Sequence, residues 1–165
     1  MKNLIFILFL LTGVYGCDNL FSPKLDTRTP TNIITDQKTI DGLFQNFKYA
    51  YTFKDTSVYG GLLNEDFIFI YRDYAQGFDV SWDRQTEMRT TNGLFNSAQK
   101  LDLIWNNIIF QSGDSLNTSI KRSFNLTITF NPSEIVTLNG FADMSITRPT
   151  GDSKWKIKRW RDESF

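Results

Sequence analysis

The chain has 165 residues, enough for one domain with a real core, and its 41% hydrophobic and 15% aromatic content is globular rather than disordered. Lysine plus arginine equals aspartate plus glutamate at 18 each, so there is no basic stripe of the kind nucleic acid requires. Histidine is absent, which excludes Ser-His-Asp and Cys-His catalysis and the commonest zinc ligand sets.

Lys2 gives a short positive n-region, and Leu4 to Val14 is an apolar run of eleven. That length suits a signal-peptide core and is too short to span a bilayer comfortably. Val14-Tyr15-Gly16-Cys17 then resembles a bacterial lipobox, with Tyr15 bulkier than the usual small residue. Cys17 is the only cysteine, so no intrachain disulfide can form. The reading is a lipoprotein signal peptide over 1–16 and lipid attachment at Cys17; the alternative is a plain secreted protein with an incidental cysteine. Residues 17–32, with Pro23 and Pro30, read as a tether, and 33–165 as a single domain. Leu20 and Phe21 in that tether can touch either lipid headgroups or the domain. The expected address is the bacterial cell envelope, lipid-anchored and facing the periplasm, since no lysine-plus-acidic cluster follows Cys17.

The stretch from Asp36 to Asp55 organises the domain. Ile40, Leu43, Phe44, Phe47, Ala50 and Tyr51 fall on one helical stripe, with Thr35 or Asp36 as N-cap and Asp41 near the positive helix start. So broad an aromatic stripe needs a concave apolar partner. Thr56 to Asn64 reads as a short helix or turn bent by Gly60-Gly61. Glu65 to Tyr71 reads as a strand with Phe67, Phe69 and Tyr71 on one face. Arg72 to Val80 reads as a loop. Ser81 then caps a shorter helix carrying Trp82, Met88, Thr91, Leu94 and Phe95, broken near Asn92-Gly93.

From residue 100 the period changes to two. Strands are predicted over Lys100–Gln111, Thr118–Phe130, Ile135–Thr147 and Lys154–Asp162. Ile120, Phe124, Leu126 and Ile128 share one face, as do Ala142, Met144 and Ile146. Asn139-Gly140 permits a sharp bend, and Trp155, Ile157 and Trp160 close the sheet. Helices followed by twisted antiparallel strands give an α+β order: N-terminal helices packed on a strongly curved antiparallel sheet, a cystatin-like cone.

Phe47-Lys48-Tyr49-Ala50-Tyr51, the Tyr59 to Leu63 turn, Asp66-Phe67 opening a strand, and the terminal Trp155-Lys156-Ile157 with Trp160-Arg161-Asp162 resemble a group of bacterial lipoproteins. Those have the cone fold of nuclear transport factor two and ketosteroid isomerase. The resemblance covers about residues 33 to 163 and implies a fold far more than a function. It also implies a homodimer through the outer face of the sheet, with a strand such as Thr118 to Phe130 carrying apolar residues outward.

A ketosteroid isomerase-like site needs an aspartate base with tyrosine and protonated aspartate donors. Asp66, Asp73, Tyr49, Tyr51 and Tyr71 are of the right types, but sequence places no pair of them within reach of each other. A tyrosine on an apolar stripe is ordinarily core with its hydroxyl at the edge, and Glu65-Asp66 is most simply a solvated strand start. The acids Asp73, Asp79, Asp83 and Glu87 lack the ligand spacing and central glycine of a calcium loop and read as solvated loop and helix-start carboxylates. The basic run Lys154, Lys156, Lys158, Arg159 and Arg161 reads as a solvent face.

No catalytic, cofactor or metal residue is therefore assigned; the one site residue is Cys17. The expected function is a membrane-tethered periplasmic binding or assembly module, non-catalytic, whose partners are the membrane, a second copy or an envelope protein, and not nucleic acid. The alternative is a small-molecule pocket protein or a ketosteroid isomerase-like enzyme. An open apolar pocket would favour the ligand. A cone filled by its own 15 Phe and 4 Trp would favour the scaffold, and this composition points to a filled cone.

Overall fold

The amphipathic stretch forms helix α1 over Ile40–Phe53 in the computed structural model, which describes residues 34–164. The expected signal peptide, Cys17 and the tether lie outside the described residues. Among the described residues, no helix is long and apolar enough to cross a membrane. Leu43, Phe44, Phe47, Ala50 and Tyr51 are all buried along α1, as their spacing requires. The helix starts later than expected. Gln37 has φ +62° and Thr39 is extended, so neither Thr35 nor Asp36 precedes a helical turn. Thr39 is the N-cap instead, accepting from Gly42 N at 3.0 Å. Lys54, at φ +55°, ends the helix in the left-handed region.

Asp55 then caps α2 (Thr56–Leu62), accepting from Ser57 N and Val58 N at 2.9 Å each. Gly60 lies inside this helix, where a Cβ would stand 3.0 Å from Met88 Cε. Helix α3 covers Arg84–Ser97 and runs through Asn92-Gly93 without a break. Its cap is Asp83 rather than Ser81, accepting from Thr86 N at 2.9 Å. Ser81 cannot cap it, because Ser81 and Trp82 belong to a strand.

Six strands form one curved, unclosed sheet: β1 (Leu63–Asp73), β2 (Phe78–Asp83), β3 (Lys100–Gly113), β4 (Asn117–Asn131), β5 (Glu134–Thr147) and β6 (Lys156–Ser164). The spatial order is β2-β1-β6-β5-β4-β3. Two expectations are corrected here. The supposed loop over 72–80 is a hairpin, with Gly77 at φ +77° turning β1 into β2 and Phe69 opposite Trp82. The sheet is also not wholly antiparallel: β6 lies between β1 and β5 and pairs with β1 in parallel, Phe69 beside Trp160. The long excursion through α3, β3, β4 and β5 supplies the crossover that a parallel pair needs.

The concave face carries Phe67, Phe69, Leu101, Leu103, Phe124, Leu126, Met144, Ile146 and Ile157, all buried against the helices. An irregularity in the β5–β6 register, between Ser145 and Ile146, brings both Ile157 and Trp160 inward although they are three apart. Trp155 is buried as expected but lies just before β6, where its N–H donates to Gln37 O at 3.0 Å. Gly140 is paired with Phe124 of β4. It admits the end of β6, where a Cβ would sit 2.5 Å from Ser164 Cα. The outward residues of β4 are polar, not apolar, and Asn125 links Asn106 of β3 to Asn139 of β5 by side-chain hydrogen bonds. Apolar residues are exposed on edge strand β3, at Ile104, Ile108, Ile109 and Phe110, and on β5, at Ile135 and Val136.

Candidate functional site

Helix α3 turns one stripe, Glu87, Thr91 and Phe95, toward the sheet, and all three are buried. Glu87 is therefore an acid placed in the core by helical spacing, only 4% exposed. Three donors hold it. Tyr59 OH reaches Oε1 at 2.6 Å, Thr91 Oγ1 reaches the same oxygen at 2.9 Å, and Trp82 Nε1 reaches Oε2 at 2.7 Å. These donors come from α2, α3 and the end of β2, so the carboxylate ties three elements together. Among the described residues it has no ion-pair partner.

In front of Glu87 is a cavity of about 220 Å³ between the helices and the concave sheet. Phe47, Tyr51, Phe69, Trp82, Trp105, Phe124 and Trp160 supply its aromatic wall, and leucines and Ile128 most of the remainder. Its polar lining is Glu87, Thr90, Thr91 and Asp162, with no lysine or arginine. The indole N–H groups of Trp105 and Trp160 are buried without a protein acceptor. The cone is thus not filled by its own rings. The rings stand against one another at 4.6–6.0 Å, mostly edge to face, and form a wall rather than a plug.

Asp162 enters the cavity from β6, where its register partners are Tyr71 on β1 and Ala142 on β5. Burial pushes its carboxyl above the ordinary value, and the like charges of Glu87 and Glu163 add to this, while hydrogen bonds from Ser164 oppose it. Burial likewise pushes the phenols of Tyr51 and Tyr59 well up, so both stay neutral. Phe69, Trp82 and Asp162 are shared with a second depression of about 300 Å³ that Tyr71, Arg72, Tyr74 and Ser164 complete.

Of the five residues of catalytic type singled out in the sequence, Tyr51 alone lines the main cavity, and Tyr71 lines the second depression. Tyr49 packs on Phe53 with ring centroids 4.6 Å apart, Asp66 is exposed, and Asp73 accepts from Gln76 in the β1–β2 turn. The acids close in sequence are dispersed. Asp79 pairs with Arg72 and Arg161, Asp83 caps α3, and Glu87 is in the core. Among the described residues, no group of three His, Cys, Asp or Glu is arranged to hold a metal ion. Asp162 was passed over as the end of a tryptophan motif, and Glu87 as a solvated acid. The stripe Glu87-Thr91-Phe95 was the available signal for the latter.

No family model and no curated protein matches the chain. Solved structures do. An NTF2-like protein of unknown function in nutrient uptake from Rhodospirillum rubrum is 15% identical, with TM-score 0.61 over 77% of this chain and 98% of that one. A scytalone dehydratase-like protein from Novosphingobium aromaticivorans is 15% identical, with TM-score 0.65 over 76% and 81%. The β subunit of an aromatic-ring-hydroxylating dioxygenase-like protein from the same organism is 13% identical, with TM-score 0.61 over 78% and 88%. At these identities the likeness is one of fold, and the fold is the α+β cone of NTF2-like proteins.

Proposed function

We propose that this domain is a non-catalytic binding module whose cone takes one small, largely apolar molecule. The cavity of about 220 Å³ walled by aromatic rings carries that reading. An apolar cavity of about 150 Å³ accommodates a benzene ring, so a single ring with a short branch fits here. The few polar groups that line it, Glu87, Thr90, Thr91 and Asp162, can set a ligand's orientation. Glu87 supports binding over catalysis, because its hydrogen bonds to Tyr59, Thr91 and Trp82 fix it within the fold. Titrating the protein with one-ring compounds and following tryptophan fluorescence tests the reading. Saturable quenching, weakened when Leu138→Phe fills the cavity, is the expected result. No saturable change with neutral, cationic or anionic members of the set overturns it.

The module works at the periplasmic face of a bacterial membrane, held by lipid on Cys17. The apolar run Leu4 to Val14 and the Gly16-Cys17 junction support this. Two copies pair through the sheet, a reading supported by the exposed Ile104, Ile109 and Phe110 on edge strand β3. Light scattering that finds only monomer at high concentration would remove the pairing.

A further inference from the structure

We propose that the ligand of the cone is an organic cation, an amine or quaternary ammonium group on a small apolar body; the inference rests on the binding-pocket reading above. Two observations point to the charge, and a third to the body that carries it. The first is the pairing of acids. Around the sheet, Asp79 has Arg72 and Arg161, Asp143 has Arg159, and Glu163 has Lys121. Glu87 and Asp162, the two acids lining the cavity, have no ion pair among the described residues, and no cation lines the cavity with them. Glu87 is hydrogen-bonded and Asp162 only half-buried, yet each still carries the cost of lacking an opposite charge in a largely apolar pocket. An anionic ligand would worsen that cost, a neutral one would leave it, and a cationic one removes it.

The second observation is the wall. Trp82 stacks on Phe69 at 4.6 Å, Phe69 meets Trp160 at 5.0 Å, Trp160 meets Phe47 at 5.4 Å, and Phe47 meets Trp105 at 5.3 Å. A continuous run of indole and phenyl rings attracts an alkylammonium through the ring quadrupoles, and most strongly where water is excluded. One such contact already exists at this wall. Arg122, which does not line the cavity, places its guanidinium 5.9 Å from the Trp105 ring and 4.7 Å from that of Phe44. The third is Trp160 itself, 8% exposed, whose indole N–H has no acceptor in the protein. It offers a donor to an oxygen carried on the ligand's body.

Benzyltrimethylammonium and its carbon isostere neopentylbenzene test the proposal, since they share a shape and differ in charge. Titrated into the full-length protein and read by tryptophan fluorescence, the cation should bind at least about tenfold more tightly than the isostere, the scale of a desolvated cation–π contact with a carboxylate added. Glu87→Gln and Asp162→Asn should each lower that preference several-fold while changing the affinity for neopentylbenzene little. Asp162→Asn leaves the Tyr59, Thr91 and Trp82 network untouched, so the test survives a Glu87 variant that fails to fold. Equal or tighter binding of neopentylbenzene overturns the cationic ligand and leaves the apolar pocket standing. A preference indifferent to both substitutions overturns it as well. No binding of either compound overturns the cation and the pocket together.

Discussion

Phe47→Ala should be among the most damaging single substitutions in this chain. Phe47 is 1% exposed and touches four rings, with centroids at 5.0 Å to Tyr51, 5.5 Å to Tyr59, 5.3 Å to Trp105 and 5.4 Å to Trp160. Truncating a buried phenylalanine costs roughly 3–5 kcal/mol, a transfer contribution plus a cavity contribution that depends on how far the surroundings relax. Little relaxation is available here. Tyr59 is held by Glu87 at 2.6 Å, and Trp105 is packed against Phe44 at 4.9 Å. The new void would also merge with the existing cavity that Phe47 lines, instead of closing. The expected loss is therefore in the upper half of the range, about 4–5 kcal/mol. Urea unfolding monitored by tryptophan fluorescence measures it, with Phe53→Ala as the comparison. Phe53 is on the same helix but 57% exposed, and its loss should stay within about 0.5 kcal/mol. A cost below about 2 kcal/mol for Phe47→Ala, short of the usual core truncation, would mean that the rings repack freely and that α1 is not seated as described.

Trp155→Ala should cost roughly 3–5 kcal/mol in the same assay, because its ring is buried with the Arg148 guanidinium 4.4 Å above it; a loss below about 1 kcal/mol would place the ring at the surface. Asp162→Asn should flatten part of the pH dependence of stability. Its folded-state value is raised by burial, so in the acid window between its unfolded and folded values the native state binds more protons and stability falls as pH rises. Urea midpoints taken across that window should therefore fall less steeply in the variant, and identical slopes would contradict the placement of Asp162. Cys17→Ser should leave an uncleaved, unlipidated precursor with the domain still folded, which mass spectrometry of the membrane fraction decides; an unmodified Cys17 thiol in a freely soluble protein would reject the anchor.

The helical stripe of α1 and the two-residue period of β4 and β5 were legible because each element buries one face. Leu43, Phe44, Phe47, Ala50 and Tyr51 are buried together, and so are Ala142, Met144 and Ile146. Strand β2 was hidden for the converse reason. Its residues are exposed or half-buried, so Phe78, Val80 and Trp82 alternate without a buried face, and Asp79 and Gly77 speak for a loop. The caps were missed by a few residues because Thr35, Asp36, Thr39, Ser81 and Asp83 are all of capping type. Only the left-handed Gln37 and the β2 pairing of Ser81 with Ile70 decide among them.

The site was illegible for a deeper reason, which concerns the order of the strands. A count of phenylalanines measures how much ring is available and says nothing of whether rings meet face to face or edge to face. Here Phe47 and Phe69 each meet Trp160 at about 80° between ring planes, and all three rings line the cavity. The acid pair is likewise a product of topology. Glu87 could be placed inward from its own helix, since Thr91 and Phe95 mark the stripe. Asp162 could not. It reaches the cavity because β6 inserts between β5 and β1, where the parallel pairing sets Asp162 beside Tyr71 two residues after it sets Trp160 beside Phe69. No local pattern encodes that insertion, because every residue that makes it depends on a strand far away in the chain. An acid at the end of a tryptophan-rich terminal strand reads as solvated until its neighbours are known. Once β1 lies on one side and β5 on the other, the same acid becomes one of two acids without an ion pair that face an aromatic wall.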